Sequence, residues 1–277
     1  MNYKGCRFSD KLFLCYIRDL PGHPFKLRIV NWVNTLIFND AVQLRNSNGS
    51  LIQVSTKEFI GHQIVFSGSY ESQSLELAEK ILQDGGAFVD IGANSGLFTT
   101  YLAVLKNVEV YAIEPSASNF LKLQSNILLN GFENVRTANV GLSDKTTFGY
   151  LDNPTPLNSG TFKTEENNHT NSYLIGLYTL SDLILHFNIQ QIKLLKIDVE
   201  GFEMKIFKGY FGKGVPLPEN IIMEFSDMME RTGYTMEDCY DFFRDLGYQS
   251  YTIHNEIYHV GDHLPDMNVW FKKELGK

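Results

Sequence analysis

The chain has 277 residues, 43% hydrophobic and 13% aromatic, which is enough for a well-filled core and too apolar for a disordered protein. Against 24 Lys and Arg stand 32 Asp and Glu, and the net charge of −8 leaves no global field to favour nucleic acid. Three cysteines without C-x-x-C spacing indicate neither a disulfide framework nor a zinc site, and with no signal-peptide pattern and no apolar run of membrane-spanning length the expected location is cytoplasmic.

Residues 1–66 read as an N-terminal extension and 67–277 as the main domain. A Pro-Gly-His-Pro break at 21–24 precedes a helix over 25–38, in which Phe25, Ile29, Trp32, Val33 and Leu36 form one apolar stripe. The main domain, a second copy in a homodimer or a membrane surface could cover that stripe. Residues 41–66 alternate apolar and polar around Asn46–Gly49, the pattern of a hairpin, with a further extended run over 63–66. Ser67 to Glu71 breaks this pattern and opens a helix to about Gln83. At its start Tyr70 and Glu71 are placed to lie over a cofactor, although Glu71 also suits the helix dipole.

The run Ala87 to Ile91 is short and apolar enough for a buried parallel strand, and it stops at the turn Gly92-Ala93-Asn94-Ser95-Gly96 before a helix over 97–106. Free N–H groups at that turn are expected to meet a ligand. A dinucleotide fingerprint would need a glycine where Asn94 stands, and Asp90 would repel a pyrophosphate. S-adenosylmethionine carries no phosphate; its ammonium suits Asp90 and its carboxylate suits the turn N–H groups. The plainer alternative is that Asp90 caps the helix and the glycines only turn the chain.

A second strand, 108–113, ends at Glu114-Pro115, 24 residues beyond Asp90, where an acidic side chain can accept both hydroxyls of a ribose. The helix that Pro115 starts stops at Gly131. After a third strand over 135–140, Ser143 and Asp144 lie where such a sheet faces an adenine. Residues 152–172 form a long polar stretch, read as a lid or binding loop. Then come an extended run over 173–178, a capped helix over 179–187 and a fourth strand over 192–197. The last ends in Lys196-Ile197-Asp198-Val199-Glu200-Gly201-Phe202-Glu203, with Glu203 suited to the N-terminus of the next helix. A fifth strand over 221–225 carries Glu224, whose charge needs a polar crevice or a partner. A helix over 236–246, strands over 248–254 and 268–272, and a short arm between them complete the pattern. His254, His259 and His263 fit no common metal motif, so no divalent metal is expected and chelation with EDTA should leave turnover unchanged.

Together, Tyr70-Glu71, the stretch from Val89 to Gly96, Ile113-Glu114-Pro115, the stretch from Lys196 to Glu203 and the strand bearing Glu224 resemble the FkbM-type methyltransferase family, over about residues 65–225. The glycine turn is common to many S-adenosylmethionine enzymes, whereas Lys-Ile-Asp-Val-Glu-Gly followed by Glu203 is more particular. Phe202 departs from the small residue frequent there. The resemblance implies an α/β class I methyltransferase fold, a seven-stranded doubly wound sheet with a reversed last strand. It also implies methyl transfer from S-adenosylmethionine to a hydroxyl of a small molecule, sugar, glycan or polyketide. The cofactor-binding residues are then Tyr70, Glu71, Asp90, Gly92, Ala93, Asn94, Gly96, Glu114, Pro115, Ser143 and Asp144. Asp198, Glu200 and Glu224 are left for catalysis, with Asp198 or Glu200 as base and Glu224 orienting the hydroxyl. A dehydrogenase or a non-catalytic cofactor-binding scaffold would use the same sheet.

Overall fold

From Gly86 onward short apolar runs alternate with amphipathic helices, and strands joined through such crossovers must pair in parallel. The computed structural model describes residues 8–19, 26, 29, 32, 41–152, 172–211, 214–264 and 267–274. In chain order the elements are α1 (Phe8–Arg18), β1 (Ala41–Arg45), β2 (Leu51–Ser55), α2 (Phe59–Ser67), α3 (Ser72–Ile81), β3 (Gly86–Ile91), α4 (Leu97–Leu102), β4 (Val108–Ile113), α5 (Ala117–Asn130) and β5 (Val135–Ala138). There follow β6 (Gly141–Leu142), β7 (Thr147–Asp152), β8 (Ser172–Tyr178), α6 (Leu180–His186), β9 (Leu194–Ile197), α7 (Glu203–Tyr210) and β10 (Asn220–Glu224). A 3-10 segment (Asp227–Thr232), α8 (Met236–Asp245), β11 (Tyr248–Thr252) and β12 (Asn268–Lys273) complete the order.

Seven strands form one sheet in the order β5-β4-β3-β9-β10-β12-β11, and β12 runs antiparallel to both its neighbours. This is the doubly wound sheet with a reversed last strand that the family resemblance implies. The order reverses between β3 and β9, so the connections leave on opposite faces and a crevice opens beyond the carboxyl ends of these two strands. A small side sheet, β6-β8-β7, flanks it. One apolar layer holds Val89, Ile113, Leu195 and Phe207; the other holds Phe88, Phe98, Leu194 and Trp270. Residues of the extension, among them Leu14, Val42, Ile52 and Ile64, belong to the second layer and close that face of the sheet.

Two side chains fasten the extension in a way the hydropathy pattern does not reveal. Asn126 accepts from Gln53 N–H (2.7 Å) and donates to Gln53 O (3.0 Å); one turn later Asn130 does the same for Leu51, both at 2.7 Å. The two amides thus act as a substitute strand along the edge of β2. Asn126 also donates to Ser95 O at 2.8 Å, which ties the hairpin to the glycine turn. Asn126→Leu, which leaves these buried groups without partners, is expected to cost about 2 to 4 kcal/mol in a denaturant titration.

Residues 63–66 are helical, contrary to the extended run read from their β-branched side chains. Gly61, Ile64 and Val65 are buried on one face of α2, and His62 stacks on Phe66 one turn away at 4.3 Å. Packing overrides β propensity here because a Cβ at Gly61 would meet Ser55 O at 2.0 Å: only a glycine-bearing helix can lie this close to β2. The helix that Ser67 to Glu71 opens runs over Ser72–Ile81, after Gly68 and Glu71 in left-handed conformations. The helix expected to reach Lys106 ends at Leu102. Of the stripe over 25–38 only Ile29 and Trp32 fall among the described residues, and both are exposed; the polar stretch, apart from its ends, lies outside them. No helix among the described residues is long and apolar enough to cross a membrane.

Candidate active site

The crevice at the switch point is a cavity of about 460 Å³, inside the roughly 300–1,000 Å³ of ordinary small-ligand sites. It brings together Tyr70, Glu71, Asp90, Gly92, Ala93, Asn94, Glu114 and Pro115 with Asp198, Glu200 and Glu224. Gly96, Ser143 and Asp144 are not among its lining residues.

At Gly92, φ is +79°, and a Cβ there would lie 2.0 Å from Asp198 O, so the ends of β3 and β9 can meet only over glycine. Four N–H groups of the turn, those of Gly92, Ala93, Asn94 and Gly96, are engaged within the protein. Gly92 and Ala93 both donate to Ile113 O (3.0 and 3.1 Å), Asn94 to Glu114 Oε2 (2.8 Å) and Gly96 to Ala93 O (2.8 Å). These bonds fix the shape of the turn where it lines the cavity. Gly96 serves packing: its Cβ would meet Leu123 at 2.7 Å, beneath α5. Ser143 and Asp144, read as facing an adenine, lie away from the lining of this cavity. Ser143 N–H is turned to Tyr178 O (2.9 Å), Asp144 lies against Gly209, and it is Leu142 and Val140 that reach a small apolar recess beside Gly92 and Pro115. The short β6 joins the side sheet rather than extending β5, which moves both residues off the crevice.

Glu114 is 4% exposed; besides Asn94 it accepts from Ser116 N–H at 2.9 Å, and burial pushes its carboxyl up to about 7. Asp90 is 1% exposed. Its Oδ2 accepts from Thr99 Oγ1 at 2.6 Å, its Oδ1 has no partner, and burial raises its pKa. An orphaned buried carboxylate oxygen in a cavity wall is what an ammonium-bearing ligand would satisfy, so these residues fit S-adenosylmethionine.

Lys196 is the site residue that the sequence reading passed over. It stands beside Asp90 in the sheet register, is 4% exposed, lies 4.8 Å over the Phe98 ring and pairs with Asp198 at 3.1 Å. Burial disfavours its ammonium, but Asp198, Glu71 and Asp90 more than offset that and raise its pKa. Its sequence signal was a lysine inside the apolar strand Leu-Leu-Lys-Ile, which can be buried only beside carboxylates.

Around this cation stand the remaining acids. Glu200, at φ +56°, has its pKa raised by burial and then by Asp198. Glu224 is pushed up to about 8 by burial, then by Asp198, Glu200 and Glu203. Burial also raises the phenol of Tyr70, which meets Phe59 edge to face at 6.3 Å. Glu203 stays outside the cavity lining, is 1% exposed and is raised by burial to about 7. Among the described residues no three His, Cys, Asp or Glu side chains are grouped to hold a metal ion.

Glu114, Glu203 and Glu224 keep their protons in the folded state to pH values at which an unfolded carboxyl, near 4.3, has lost them. The folded state binds more protons, so the ligand-free protein is expected to lose stability as pH rises from about 5 to about 8. Thermal melting at the two ends of that range checks the sign.

A sequence model of the methyltransferase FkbM domain matches residues 90–250. Methyltransferase 1 of Beauveria bassiana (strain ARSEF 2860) is 26% identical over 164 residues, 52% of this chain and 66% of that protein, so the chain spans just under two thirds of this relative. Among solved structures, an rRNA methylase from Streptococcus thermophilus is 15% identical, with a TM-score of 0.38, over 72% of this chain and 93% of that one. SMU.1697c from Streptococcus mutans, solved in complex with SAH, is 10% identical, with a TM-score of 0.43, over 74% and 97%. Both scores are low, and the fold assignment rests on the strand order and the reversed β12. With more than half of its length matched by the family model, the chain belongs to the FkbM methyltransferase family and its methyl donor is S-adenosylmethionine.

Proposed function

We propose that the enzyme methylates a hydroxyl oxygen on a sugar, a glycan or another small metabolite. The observation that carries this reading is the convergence of Asp198, Glu200 and Glu224 in one cavity with Asp90 and Glu114. In this reading Asp90 takes the ammonium of the bound donor, Glu114 its ribose hydroxyls, and Tyr70 and Glu71 cover it. The donor supplies an electrophilic methyl group on a sulfonium. An alcohol is a weak nucleophile and must give up its proton to a positioned base as it attacks in line. The sulfonium charge disappears in that step, so a carboxylate useful to the transition state lies on the acceptor side of the methyl group. Asp198 and Glu200 are the bases by position. Asp198 is already held in an ion pair with Lys196 at 3.1 Å, which favours Glu200 as the base, with Glu224 orienting the hydroxyl.

The test is incubation with methyl-labelled S-adenosylmethionine and fractionated host extract, followed by mass spectrometry of whatever gains label. A methyl ether on a hydroxyl-rich compound is the expected product. Label on nitrogen, carbon or a carboxyl oxygen would overturn the reading.

A further inference from the structure

The turn that carries Glu200 is held from behind by a carboxyl that does not line the cavity. Glu200 sits at φ +56°, a left-handed conformation that a residue with a side chain keeps only when its surroundings over-determine it. Glu203 Oε1 accepts from Val199 N–H and from Gly201 N–H, both at 3.2 Å, the two amides that flank Glu200. From the other side Thr232 Oγ1 donates to Gly201 O at 2.9 Å. Gly201, at φ +102°, lies so close to the 3-10 segment that a Cβ would meet Met228 O at 2.2 Å. Without Glu203, two buried N–H groups would lose their acceptor, and the turn could recover partners only by releasing Glu200 from its strained conformation.

We propose that Glu203 is a positioning residue: one of its carboxyl oxygens locks the Val199–Gly201 turn and so keeps Glu200 aimed at the acceptor side of the cavity. The proposal rests on the reading of Glu200 as the proton acceptor. The competing explanation is that Glu203 only places a negative charge on the N-terminus of α7, where it is the first helical residue. The two differ in what substitution preserves. Glu203→Gln keeps the reach and the accepting oxygen but loses the charge. Glu203→Asp keeps the charge but is one methylene too short. A dipole role therefore spares Asp, and a positioning role spares Gln.

The experiment measures label transferred from methyl-labelled S-adenosylmethionine to host extract, calorimetric affinity for S-adenosylmethionine, and hydrogen exchange at the Val199 and Gly201 amides. Glu203→Ala and Glu203→Asp are expected to slow transfer roughly a hundredfold, the scale of a displaced reacting group, and to expose both amides to exchange. Glu203→Gln should stay within a few fold of the parent and keep the amides protected. Cofactor affinity should change little in all three. The double variant Glu200→Gln with Glu203→Ala should be no slower than Glu200→Gln alone, because Glu203 then has nothing left to aim. Transfer retained by Asp and lost by Gln, or losses that multiply in the double variant, would overturn the proposal. If Glu200→Gln by itself transferred normally, the assignment of the base would fall; the exchange measurement would still decide whether Glu203 holds the turn, and unchanged protection in Glu203→Ala would refute it.

Discussion

Gly92→Val is expected to abolish binding of S-adenosylmethionine and of its demethylated product. At φ +79° a β-branched residue is strained before any contact is considered, and the new Cβ would sit 2.0 Å from Asp198 O. That oxygen belongs to the backbone at the end of β9, so relief requires the carboxyl ends of β3 and β9 to separate. Those ends form the floor of the cavity. Calorimetric titration with both compounds reads the loss, and circular dichroism shows whether the sheet survives. If the sheet does not survive, Glu114→Gln carries the test without a steric change. It keeps an acceptor for Asn94 or Ser116 but replaces one of the carboxyl oxygens proposed to hold the ribose by an amide nitrogen, and it should weaken binding about tenfold, the scale of a lost hydrogen bond. Binding of the parent kind in Glu114→Gln would remove the ribose role.

The second large effect is on turnover. Asp198→Asn and Glu200→Gln should keep cofactor affinity within a few fold, with Glu200→Gln lowering turnover by about a hundredfold or more, the scale of a lost general base. The pH profile separates the two residues. The base works ionised, so turnover should fall as pH drops through the raised titration of Glu200. Asp198 is one of the charges that raise it, so Asp198→Asn should move this acid limb to lower pH, whereas Glu200→Gln should remove it. Normal turnover in both variants on the true acceptor would mean that the base lies elsewhere or that proximity alone suffices.

What could be read from the chain followed from periodicity and from chemistry that is local in sequence. The apolar runs ending at Asp90, at Glu114 and at Asp198 specify parallel strands whose carboxyl ends face one crevice, and the spacing of these acids puts them there together. Thr179 announces its helix, and the capping box with Asp182 is present. Glycine at 92 was also legible, because a strand that must turn at once into a helix leaves little alternative.

Other features depended on which neighbours the fold supplied. Residues 63–66 prefer a strand locally and form a helix because β2 offers a surface that only Gly61 can approach. Ser143 and Asp144 follow a third strand as expected, yet β6 pairs with β8 and carries them off the crevice. Asn126 and Asn130 look like ordinary polar residues of an amphipathic helix until β2 is laid beside them. Lys196 reads as a motif letter until Asp90, Asp198 and Glu71 surround it. The sequence by itself determined the fold class and the acids at the crevice, because hydrophobic period and strand-end position are properties of a segment. Only the tertiary structure decided which N–H groups were already engaged, where Lys196 found its counter-charges and which carboxyls were buried enough to hold a proton, because each of those depends on atoms distant in the chain.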